Sequence, residues 1–224
     1  MTPDQFARAF VEEVDSTFGT HVVSVFTYGA AMFPPAPVTD FDAHVVLDGP
    51  LDENGPRAID QLHARIGGDT DVWYITLDEA RGSGPPLDQR GVLRDEAWPL
   101  HRAHIHAGRY AVLAGADPAE FVPEPTWDEL DTALRHELDW LSERLDVHPE
   151  YCVLNLCRIA ASYANHDVVI SKLQGALWAF AALPDEHHAL IRSAIDGYRS
   201  HTFGKIDARA FYDVMREKIE AVRS

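Results

Sequence analysis

Asp40 and Asp42 are the residues around which chemistry can be built. They open an apolar run that follows an earlier one, Val22 to Thr27, across a turn segment holding Pro34, Pro35 and Pro37, which is a strand, loop, strand pattern. Strand side chains alternate, so both carboxylates look to one face with Phe41 opposite. At roughly 6 to 7 Å and an effective dielectric of about 20, they repel by on the order of 2 to 3 kcal/mol. A hard divalent cation relieves that repulsion, and magnesium shared between carboxylates and substrate phosphates fits best. A solvated strand start is the alternative, and Asp-x-Asp alone does not separate the two. Tyr28-Gly29-Ala30 shifts the balance, because a glycine just after a buried strand lets backbone N–H groups approach an anion closely. Asp71 begins a third apolar run, to Thr76, and a neighbouring strand can bring it beside the pair. Three converging carboxylates could hold a metal while one accepts the proton of an attacking hydroxyl.

Other reactive residues carry less. His101, His104 and His106 lack a Cys or carboxylate at zinc-site spacing, so packing and polar contacts are the expectation for them. Ser24, Ser162 and Cys157 have no nearby base pattern for nucleophilic catalysis. Cys152 and Cys157 sit five apart in a helical run, where side chains point in different directions, so free thiols in a reducing cytoplasm are expected.

The elements that must position the acids are an opening helix, capped by Thr2 with Pro3 in its first turn and ending near Gly19, the strand pair, a helix around Arg57 to Ile66, and the strand from Asp71. This is an α/β arrangement with a small mixed sheet. Residues 81–95, rich in Gly and Pro, are expected to form a flexible loop bordering the site, followed by a helix from Trp98 to His106. A connector spaced by Pro118, Pro123 and Pro125 then marks the domain boundary, giving domains 1–115 and 116–224. Beyond it the pattern is helical only: Leu130, Leu134, Leu138 and Leu141 recur every three or four residues, Ser171 to Gln174 is a capping box, and five helices make a bundle.

The formal net charge of −17 argues against a nucleic-acid surface and against an anionic membrane. Acidity is spread over the chain, with 17 acidic and 8 basic residues in 1–115 and 19 and 11 in 116–224, and would suit a cationic small molecule or simply solubility. The amino terminus has no signal-peptide pattern, and no run approaches the length of a membrane span.

The Gly29 turn with Asp40 and Asp42 resembles the nucleotidyltransferase fold, and within it the aminoglycoside adenylyltransferases of the streptomycin and spectinomycin type. That family carries a Gly-Ser turn before Asp-x-Asp; here Ala30 replaces the serine and removes a phosphate hydrogen bond worth about 1 to 3 kcal/mol. A glutamate acts as base on the family's third strand, where this chain has the shorter Asp71. The run Tyr151 to Ile159, then Val168 to Lys172, Gly175 to Ala179 and Leu183-Pro184 is also similar, and implies that Arg158 and Lys172 contact ATP phosphates. The same resemblance puts Trp140 near a drug-binding tryptophan, and His148, with Glu150 two residues on, at an acidic drug-binding position. It implies a nucleotidyltransferase domain followed by a helical domain, with ATP and substrate in the cleft between them. The implied reaction is magnesium-dependent transfer of AMP from ATP to a hydroxyl of a small cationic molecule such as an aminoglycoside. Two alternatives stay open: a degenerate relative that binds a ligand or nucleotide without turnover, and an enzyme that adenylylates a protein side chain.

Overall fold

The computed structural model describes residues 2–33, 41–68, 70–91 and 93–223. Asp40 therefore lies outside the described residues.

The opening helix α1, Pro3–Phe18, is capped as expected: Thr2 and Gln5 close a reciprocal capping box, and Phe10, Val14 and Phe18 are buried. β1 (Val22–Thr27) pairs antiparallel with β2 (Phe41–Leu47), and β2 pairs parallel with β3 (Thr70–Thr76) after α2 (Gly55–Ile66). A short α3 (Leu77–Ala80) and α4 (Trp98–His106) follow, and then β4 (Ala111–Gly115). The strand order is β3-β2-β1-β4, a mixed sheet.

Alternation divides the sheet into two faces. Val25, Ala43, Val45, Leu47, Val72 and Tyr74 pack with Phe10, Val14, Ile59 and Leu62 of α1 and α2. On the other face Phe26, Tyr28, Val46 and Ile75 meet Trp98 and Ile105 of α4. Asp42, His44 and Asp71 share the parity of this second face, so the acids belong to the side that α4 covers.

Two expectations are corrected. The stretch between the Trp98–His106 helix and Pro118, for which no strand was expected, contains β4, antiparallel to β1 from Ser24↔Gly115 to Thr27↔Ala111; a five-residue, half-buried edge strand is too short for alternation to reveal. The described residues of 81–95, a stretch read as a flexible loop, are pinned. Asp88 is buried and bonded to Arg90, Gln89 N–H donates to the Tyr74 carbonyl, and Leu87 bridges to Arg94.

Residues 2–32 and 41–126 form one compact unit; Phe33 groups with 127–223 in a second. The second contains α5 (Trp127–Ser142), α6 (Pro149–Asn165), α7 (Lys172–Ala182), α8 (His188–Ser200) and α9 (Arg209–Arg223). Helix α6 is its axis: nearly every residue from Cys152 to Tyr163 is buried, against α5, α7, α8 and α9. Gly175 allows α7 to touch α6 backbone to backbone, since a Cβ there would lie 2.5 Å from Arg158 Cα. No helix among the described residues is long and apolar enough to cross a membrane.

Candidate active site

Register builds the first half of the site. In the parallel β2–β3 pair Asp42 stands directly opposite Asp71, so the two carboxylates leave neighbouring strands that run about 4.8 Å apart. Asp42 is half-buried and Asp71 exposed, as strand starts at the rim of a sheet should be. The Asp42 carbonyl accepts hydrogen bonds from Thr27 Oγ1 at 2.7 Å and from Tyr28 N–H at 3.3 Å, which fixes the strand edge. Gly29 then turns with φ +72° into a short 3-10 segment that includes Ala30. A Cβ at Gly29 would lie 1.8 Å from Asp42 Oδ2, so the carboxylate occupies space that only glycine leaves free. Hard oxygen donors on adjacent strands, beside a turn that accepts close approach, fit magnesium.

A feature absent from the sequence reading lies on the same face. His44 Nε2 and His101 Nδ1 both meet Asp95 Oδ2, at 3.2 and 2.9 Å, with His44 and Asp95 fully buried. Burial alone would raise the Asp95 pKa, but the charge of His101 and hydrogen bonds from His101 and His44 outweigh it and hold the carboxyl well below its usual range. Burial opposes a charge on His101, yet Asp95, and further off Asp71 and Asp42, raise its pKa. His44 is lowered, chiefly by burial, against its hydrogen bond to Asp95. The signal for His44 was available, since it follows Asp42 by two in a strand. Asp95 lies in an irregular segment, and its partners could not be read from spacing.

The remaining expected residues lie in the second unit. Arg158, on α6, reaches Glu137 of α5 at 3.7 Å, both side chains about one-fifth exposed. Lys172 opens α7, capped by the Ser171–Gln174 box, with its Nζ 4.7 Å from the ring of Tyr151 and 5.5 Å from that of Tyr198. Trp140 packs edge-on to Tyr151, and the Arg144 guanidinium lies 3.7 Å over its indole. His148 is exposed at the start of α6, its ring 6.2 Å from that of Phe203. Glu150 departs from the expected substrate contact. It is 1 % exposed, and its two oxygens accept the N–H groups of Gly204 and Lys205, so the carboxylate anchors the α8–α9 connection. Cys152 and Cys157 are free and buried, and burial pushes the two thiols up to about 11 and about 12.

Comparison with known proteins bears on the fold of the whole chain and on its second half. Residues 122–222 match the family described as aminoglycoside adenylyltransferase, C-terminal domain. No curated protein matches the chain in sequence. Among solved structures, spectinomycin adenyltransferase AAD(9) from Enterococcus faecialis, crystallised with ATP and spectinomycin, superposes with a TM-score of 0.83 at 13 % identity, covering 98 % of this chain and 100 % of that one. Family and solved relative are both nucleotidyltransferase enzymes. The chain thus has the fold of that adenyltransferase throughout, and its residues 122–222 are similar to the aminoglycoside adenylyltransferase C-terminal domain.

Proposed function

We propose that the chain transfers AMP from ATP to a hydroxyl of a small cationic molecule of the aminoglycoside or spectinomycin class. The observation that carries this reading is Asp42 set against Gly29 and opposite Asp71. Asp42 and Asp71, with Asp40 from outside the described residues, would hold magnesium, which when bound supplies charge neutralisation for the triphosphate and its leaving pyrophosphate. Asp71, the more exposed acid, serves as ligand or takes the proton of the acceptor hydroxyl. Gly29 and Ala30 offer backbone to the phosphates. Arg158 and Lys172 would add cations, with a triphosphate competing against Glu137 for the Arg158 guanidinium. Trp140 and His148 would contact the substrate, while Glu150 holds the Gly204–Lys205 backbone in place. Two buried free thiols suit the reducing cytoplasm in which such a drug would be met.

The test is pyrophosphate release with ATP and magnesium across spectinomycin, streptomycin and other aminoglycosides. Asp42→Asn should abolish release while circular dichroism and melting stay near wild type; undiminished release in that variant refutes the reading. A second reading, binding without turnover, is favoured by Ala30 in the place of the motif serine. Calorimetric binding of ATP or drug with no release for any acceptor would establish it.

A further inference from the structure

We propose that His44, Asp95 and His101 form a second metal site, suited to zinc and separate from the magnesium-binding acids. Their ligating atoms, His44 Nε2, Asp95 Oδ2 and His101 Nδ1, all lie within 4.8 Å of one another, the one such group of metal-ligating side chains among the described residues. The separations of 3.2 and 2.9 Å about the shared oxygen are close to those that tetrahedral zinc imposes on its ligands, about 3.3 Å for bonds of about 2.0 Å. An ion would enter by replacing these hydrogen bonds with bonds to all three donors, which already lie within 4.8 Å of one another. The donors come from three segments: β2, the stretch leading into α4, and α4 itself.

These donors are held before any ion arrives. The His44 ring lies parallel to Phe26 at 5.3 Å, with Tyr28 at 4.9 Å and Trp98 at 5.1 Å around it. That packing fixes the imidazole although its Nδ1 has no hydrogen-bond partner, a task that an outer hydrogen bond performs in many metal sites. Asp95 Oδ1 accepts the Ala97 N–H at 3.1 Å, which aims the other oxygen at the two rings. The side chain of His101 is 16 % exposed and provides the way in. Two imidazoles and one carboxylate favour a borderline-soft ion, whereas Asp42 and Asp71 offer oxygen alone, the preference of magnesium. The ion would replace the protons now shared within the cluster and tie α4 to β2, two residues from Asp42.

The experiment uses the full chain, stripped with chelator, then titrated with zinc by calorimetry and with cobalt(II) as a visible probe. One equivalent of zinc, the intense bands of tetrahedral cobalt and a zinc-dependent rise in melting temperature are expected in wild type, in Asp42→Asn and in His106→Ala. His106 hydrogen-bonds to the Val122 carbonyl outside the cluster and serves as the control imidazole. His101→Ala and Asp95→Asn should lose the bands and weaken zinc by more than the about 10- to 100-fold that follows loss of an outer-shell partner. His101→Asn, which keeps a polar group in place, is the second variant should alanine prevent folding. Absence of binding at equimolar zinc, bands that persist in the His101 variants, or bands abolished by Asp42→Asn would each overturn the proposal.

Discussion

At the scale of single residues the site depends on what is missing at Gly29 as much as on what is present at Asp42. A side chain at Gly29 would need a positive φ, at a cost of about 1 to 2 kcal/mol, and would displace the carboxylate beside it. Gly29→Ala should therefore lower kcat/KM for ATP by about tenfold or more, with a melting temperature within a few degrees of wild type. Unchanged steady-state kinetics would show that the Asp42 carboxylate is not where the chemistry occurs. Asp42 and its glycine were legible in the sequence because strand parity and a turn residue are local properties. The His44–Asp95–His101 contact was not, because His44 and Asp95 are 51 positions apart and meet only when α4 lies on the sheet.

At the scale of elements, the closest contact in the helical unit is between α6 and α7. Gly175→Ala would press a methyl group against the Arg158 backbone, where nothing can rotate away, and such overpacking costs about 1 to 3 kcal/mol. A fall in melting temperature of roughly 2 to 10 °C is expected, together with a raised KM for ATP, because Arg158 and Lys172 sit on the two helices being forced apart. A loss of stability with no change in KM would detach these cations from nucleotide binding. The helices, their caps and their apolar faces could be read from sequence, since periodicity and capping boxes are written within one element. Which glycine marks a helix contact could not, because Gly175 looks like any helical glycine until its neighbour is known.

At the scale of the whole molecule, buried polar groups govern how the first unit responds to mutation and pH. Arg102 is 1 % exposed and donates to the carbonyls of Ser83, Pro123 and Glu124, fastening the pinned loop and the segment after β4 onto α4. Arg102→Met would strand these acceptors at about 1 to 3 kcal/mol each, so a loss on the order of 10 °C in melting temperature is expected; a variant as stable as wild type would refute the role. His63 bonds to Thr70 Oγ1 and Tyr74 Oη, both at 3.1 Å, and burial first, then Arg90, lowers its pKa. A histidine whose folded pKa is depressed contributes stability in full above the unfolded value of about 6.5, and that stability is lost as the pH falls toward the folded pKa, because the unfolded chain binds the proton first. His44 acts in the same sense and His101 in the opposite one, so His63→Gln isolates one contribution. Denaturant unfolding at pH 7 and 5.5 should show a smaller loss for the variant than for wild type, and equal losses would remove His63 from the acid response.

Sequence by itself determined what depends on neighbours along the chain: the strand, loop, strand around the acids, the capped helices, the change to an all-helical half and the resemblance to a nucleotidyltransferase. Tertiary structure alone decided which distant residues meet. It put Asp71 level with Asp42, turned Glu150 inward onto two backbone amides, drew Ala111–Gly115 into the sheet and enclosed two histidines with Asp95. The physical reason is one of range: propensity and periodicity act over a few residues, whereas burial and charge pairing are settled between segments that only the folded chain brings together.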